Sequence, residues 1–122
     1  MLTYEASNVD YLQIEEDVLR RRQLREFLMD RRSHVAPIDL GLPQTTRRRV
    51  AGLRRGEVAE LVGVTVDWYR SFESGRAVRV SPQFIDRLAR ALLLNAAEQF
   101  ALFRLALPEI YHLENSATLI VA

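Results

Sequence analysis

The sequence predicts an all-α protein, five helices in one domain with a helical extension before it and a short tail after it. Three observations predict this. Apolar residues recur at intervals of three and four over most of the chain, the period of a half-buried helix. Helix caps and breakers punctuate that pattern at helix-length intervals: Gly63, Gly75, Ser81-Pro82, Asn95 with Glu98, and Pro108. The candidate strand, Thr118-Leu119-Ile120-Val121, has no partner strand in the sequence. At 122 residues there is room for one core, and 48% hydrophobic with 27% charged residues excludes wholesale disorder.

The first helix is predicted over residues 15–32, with Leu24, Phe27 and Leu28 as its buried stripe. Tyr11, Ile14 and Val18 extend the apolar pattern but do not align with Leu24 and Leu28, which predicts either a bend or a separate N-terminal helix. Pro37, Gly41 and Pro43 then make residues 33–52 a long loop, which holds Arg47, Arg48 and Arg49. The second helix spans about residues 54–61 with Val58, Leu61 and Val62 on one face, and Gly63 ends it. The third begins at Thr65, an N-cap, with Asp67 favouring the positive helix end, and stops at Ser74-Gly75. Ser81 caps the fourth and Pro82 occupies its first turn; Ile85, Leu88, Ala89 and Leu92 share one face. Asn95 and Glu98 form a capping box for the fifth, whose Phe100, Phe103 and Leu107 share one face before Pro108 ends it, with Phe100 and Phe103 expected in the core.

Charge is distributed unevenly. Residues 1–19 carry five acids and no base, residues 20–79 fourteen arginines against seven acids, and residues 80–122 three arginines against four acids. The central excess of +7 points to a polyanionic partner, although the whole chain carries only +1. There is no cysteine, and His34 and His112 are far apart, so thiol chemistry and a Cys- or His-rich metal site are not expected. With no Gly-rich phosphate loop either, the chain is not expected to be an enzyme or to need a cofactor. No apolar run approaches membrane-spanning length and no signal pattern opens the chain, which makes a cytoplasmic, nucleoid-associated protein the expectation.

Two short helices joined by a Gly-containing turn, within a basic all-helical domain, describe a helix-turn-helix. In that arrangement Ala59 and Gly63 are small so that the helices cross closely. Val64, Tyr69 and Phe72 pack the second helix of the pair inward. Val66, Asp67, Arg70 and Ser71 then point outward at the end that enters the major groove.

The run from Gly52 to Arg76, GLRRGEVAELVGVTVDWYRSFESGR, resembles the XRE (Cro/repressor-like) helix-turn-helix, and within it the branch of MmyB-like bacterial transcriptional regulators. Leu24-Arg25-Glu26-Phe27-Leu28 with Arg31-Arg32 resembles that branch's first helix. Gly41-Leu42-Pro43 with Arg47-Arg48-Arg49 resembles its basic loop, and Ser81-Pro82 onward its last two helices. The likeness covers about residues 23–107. It implies a five-helix repressor-like fold and sequence-specific binding of double-stranded DNA as a transcriptional regulator. By the same likeness Arg55 reaches the DNA backbone or a flanking base, and Thr65, Val66, Asp67, Arg70 and Ser71 lie at the groove. Arg suits guanine, Asp suits cytosine N4 and Val66 a thymine methyl. Arg47, Arg48, Arg49, Arg54 and Arg76 suit phosphates.

The chain departs from that pattern at Gly56, where an acidic helix former is usual, at Ala51 for proline and at Trp68 for tyrosine. Members of the branch often carry a ligand-binding domain after the last helix; the sequence ends at Ala122, so ligand sensing is not carried over. The expected division is an acidic extension over 1–19, the DNA-binding domain over 20–107, and a tail over 108–122 serving as linker or dimerisation segment. Apolar residues in both ends suit a homodimer, which would match a palindromic operator. The competing reading is a protein-interaction module of the same fold, an antitoxin or adaptor using those ends. Arg20–Arg22 suit either DNA or a solvated helix face, Trp68 the core, an interface or the sugar–phosphate backbone, and Glu73 a tie to a nearby backbone group or arginine.

Overall fold

The computed structural model describes the backbone of residues 2–42, 51–76 and 79–108, with side chains from Tyr11 onward. These residues form five α-helices and no strand: α1 Leu2–His34, α2 Arg55–Val62, α3 Val66–Glu73, α4 Pro82–Ala91 and α5 Ala96–Ala106. A single 3-10 turn, Pro37–Leu40, follows α1. The expected arginine-rich loop at Arg47–Arg49, and the expectations for His112 and for the tail beyond Pro108, fall outside the described residues.

α1 is one helix of 33 residues, so of the two alternatives, a bend or a separate N-terminal helix, the separate helix is not formed. The misaligned apolar positions have a different origin. A helix turns about 100° per residue, so positions 11, 12, 14, 18 and 19 centre on a direction roughly opposite to that of Leu24, Phe27 and Leu28. Leu24 and Leu28 enter the core, whereas Tyr11, Ile14 and Val18 are each more than half exposed. α1 meets the rest of the chain from Arg20 on, where the Arg20 guanidinium donates to the Leu105 carbonyl at 2.9 Å. Arg31 continues that seam with an ion pair to Glu98 at 2.9 Å.

α1 packs on α3 and α5, α2 on α3 and α4, and α4 on α5. α4 supplies the largest share of the core, with Phe84, Ile85, Leu88 and Ala89 all buried. Its predicted start holds: the Phe84 N–H donates to Ser81 Oγ at 3.1 Å. The capping box of α5 is complete, with Glu98 N–H to Asn95 Oδ1 at 2.8 Å and Asn95 N–H to Glu98 Oε1 at 2.9 Å.

Three expectations about packing are corrected. Phe100 is 55% exposed and Phe103 only partly buried; Leu102 is the residue of α5 that enters the core. Leu102 shares its face of α5 with Glu98, whose carboxylate meets Arg31 of α1. In α2 the buried set is Val58, Ala59 and Val62, because the helix lies against both α3 and α4, and Leu61 is turned out. Gly63 is not there to let helices approach, since a Cβ at that position would meet nothing within 4 Å. Its φ of 77° is the reason: the left-handed cap lets Val64 N–H reach the Ala59 carbonyl at 3.0 Å and turns the chain into α3.

Gly56 lies in the first turn of α2, and a Cβ there would also enter open space. Gly56→Ala is therefore expected to stabilise the fold by about 0.5–1 kcal/mol, read as an upward shift of the urea midpoint at unchanged slope.

Candidate nucleic-acid interface

α3 is built so that its two faces have opposite fates. Thr65 caps it, its Oγ1 accepting from the Trp68 N–H at 3.1 Å. Tyr69, Phe72 and Glu73 are buried on one side. Trp68 is half-buried, stacked on Phe72 at 5.7 Å and edge-on to Phe84 at 5.0 Å, so its place is the α3–α4 contact. On the other side Thr65, Val66, Asp67 and Arg70 are exposed and Ser71 is half-buried. Arg70 Nη1 lies 3.3 Å from Asp67 Oδ1, one turn along this outer face. An exposed pair of this kind contributes little to stability, so both groups can change partner at small cost.

The inner face is anchored by Glu73, the one buried charged residue among those described. Its Oε1 accepts from Arg32 Nη2 at 2.9 Å and from Arg55 Nε at 3.0 Å, and its Oε2 from Arg32 Nε at 3.1 Å. One carboxylate thus ties the end of α3 to α1 and to the start of α2. Burial alone would raise the Glu73 pKa; the Arg32 guanidinium, the adjacent Tyr69 hydroxyl and Arg55 outweigh it and hold the carboxyl below its ordinary range. The Tyr69 hydroxyl is buried beside this carboxylate without a hydrogen bond of good geometry, and burial together with the Glu73 charge pushes its pKa up.

Arg32 also donates to the Leu53 carbonyl at 2.8 Å, which fixes the chain entering α2. The sequence placed Arg32 only as part of a family-like first helix. What pointed toward its role was Glu73, an acid at the end of an otherwise apolar inner face, which had to find a nearby cation. Arg55 keeps 41% exposure of its side chain while its Nε is held by Glu73. Arg54 is exposed, and its backbone N–H donates to Glu57 Oε1 at 2.8 Å, which steadies the first turn of α2. Arg76 is exposed just past α3. Arg20 is committed to Leu105 and Asp17, and Arg21 lies against Gly75.

Among the described residues no three His, Asp or Glu side chains converge on a possible metal position. No described helix is long and apolar enough to cross a membrane.

Five helices around one core, with a short capped helix held from behind and open in front, define a small all-α DNA-binding domain with a helix-turn-helix. The family model described as a helix-turn-helix domain matches residues 18–102, most of the chain, and the protein belongs to that family. No curated protein and no solved structure matches it.

Proposed function

We propose that the protein is a sequence-specific transcriptional regulator that lays α3 in the major groove of double-stranded DNA. The observation that carries this is the division of α3: Tyr69, Phe72 and Glu73 lock one face to the core, while Val66, Asp67 and Arg70 stand in solvent at the capped end. In this reading Thr65, Val66, Asp67, Arg70 and Ser71 meet base edges or the adjoining backbone. Arg70 reads guanine, and Asp67 accepts from cytosine or repels phosphate at wrong sequences. Arg54, Arg55 and Arg76 flank this face and hold phosphates, with Arg55 oriented by Glu73. Arg47, Arg48 and Arg49 join them by their position in the sequence. The MmyB-like branch, the division at residues 19 and 107, and a two-fold dimer on a palindromic operator belong to the same proposal.

Selection from random duplex DNA at about 0.15 M salt tests it, because contacts to phosphates alone bind weakly there. An enriched sequence is expected; a folded chain that enriches none sinks the reading. On the enriched site, Arg70→Ala should cost about 1–3 kcal/mol and relax preference at one base position. Arg76→Ala should instead weaken all sequences evenly and lower the slope of log K against log salt by about 1. Fluorescence anisotropy over a salt series separates the two.

A further inference from the structure

We propose that the exposed face of α1 is where two copies of the chain pair, antiparallel and two-fold symmetric about Val18. This deepens the reading above by giving its dimer a surface, and the surface can be tested without DNA.

Among the described residues nothing covers the outward face of α1. Residues 11–23 contain no buried side chain, and Tyr11, Ile14 and Val18 are 62%, 60% and 51% exposed. From Tyr11 to Gln23 the helix extends about 18 Å, and a helix of that length with no buried side chain is only marginally stable in water. The apolar positions centre on the side away from Leu24 and Leu28, so the domain's own core does not cover them.

The same face continues past Val18. Helical periodicity carries it through Arg22, Arg25 and Met29, all exposed and all turned away from α3 and α5. It is apolar in its first half and basic in its second. The charges follow the same division: five acids and no base over residues 1–19, then four arginines over residues 20–25.

Parallel pairing would set two acidic arms side by side. Antiparallel pairing centred on Val18 sets each acidic arm along the arginines of the other copy. Ile14 then lies across from Arg22 of the second copy, with Glu15 beside the same Arg22. Tyr11 meets Arg25 of the second copy, where a guanidinium can stack on the phenol ring. A second copy answers both halves of the face at once: its Glu15 meets Arg22, its Tyr11 meets Arg25, and the same pairs repeat across the two-fold axis.

The chain contains no cysteine, so introduced ones report alone. Light scattering on the full chain without DNA should give twice the monomer mass. Mild oxidation should cross-link Val18→Cys, and should cross-link the double variant Tyr11→Cys with Arg25→Cys but neither single variant. Val18→Asp, which sets two carboxylates face to face at the two-fold axis, should weaken the dimer at least about tenfold while leaving the cooperative melt of the core in place. Arg22→Glu should weaken it as well, and Glu15→Arg added to Arg22→Glu should restore it.

A monomer overturns the proposal, including one that dimerises only after residues 109–122 are removed, which would make the tail the occupant. Cross-linking of Tyr11→Cys alone would mean parallel pairing, and a dimer indifferent to Val18→Cys another surface; either overturns it. A monomer that still selects a DNA sequence leaves the regulator reading standing, and a cross-linked dimer that selects none does the reverse.

Discussion

Glu73→Ala is expected to lower the free energy of unfolding by about 3–5 kcal/mol, the cost of removing one member of a buried ion pair and leaving the other uncompensated. Arg32 would lose both of its carboxylate hydrogen bonds and Arg55 the one that holds its Nε. A small domain has about 5–15 kcal/mol in total, so the variant should lie close to unfolding at room temperature. Urea denaturation followed by circular dichroism measures it, and a loss below about 1 kcal/mol would mean the cluster is not buried as described. DNA affinity should fall further than the unfolded fraction explains, because α3 would no longer be tied to α1 and α2.

The same carboxylate sets an acid limit. Its pKa is lower in the folded chain than the ordinary 4.5, so protons bind more readily to the unfolded chain. The stability it contributes is therefore fully present above that ordinary value and is lost as pH falls through the folded value. Melting temperature plotted against pH should drop on the acid side in the parent chain, and Glu73→Gln should lose that part of the drop.

Gly52→Ala is the second large effect, with a different cause. A Cβ at Gly52 would stand 2.4 Å from the Arg32 carbonyl oxygen and 2.5 Å from Ser33 Cα. Both are backbone atoms at the end of α1 and cannot swing aside as a side chain does. The chain would have to leave α1, taking with it the Leu53 N–H bond to the Arg32 carbonyl at 3.0 Å and the fully buried Leu53 side chain. A loss of about 3 kcal/mol is expected, the upper part of the range for overpacking. Thermal unfolding reads it, and an unchanged melting temperature would show that the contact relaxes freely. Because this junction carries the chain from the arginine-rich stretch into α2, the variant also tests whether that stretch must be held to bind DNA.

Much of the fold was legible because its signals are local. Thr65, Ser81 and Asn95 cap helices through hydrogen bonds that span three residues, and Gly63 marks a left-handed turn wherever it is packed. The outward set Val66, Asp67 and Arg70 was legible for a related reason: Tyr69 and Phe72 need burial, and helix geometry then dictates the opposite face. The expectations for Leu61 and Phe100 failed because periodicity finds a stripe without saying which neighbour covers it. α2 lies against α3 and α4, and α5 against α1 and α4, and the placement of those neighbours settles which apolar residues stay outside.

Length, caps and charge pattern along the chain were enough to specify helices, their order and a basic helix-turn-helix, since each depends on residues within a turn or two of one another. Tertiary structure alone decided which cation meets Glu73, why Gly52 has no side chain, and that the apolar residues of early α1 face away from the core. Those three depend on how segments far apart in the sequence lie against each other. A one-dimensional pattern contains the chemistry of such contacts but not the distance between the groups that make them.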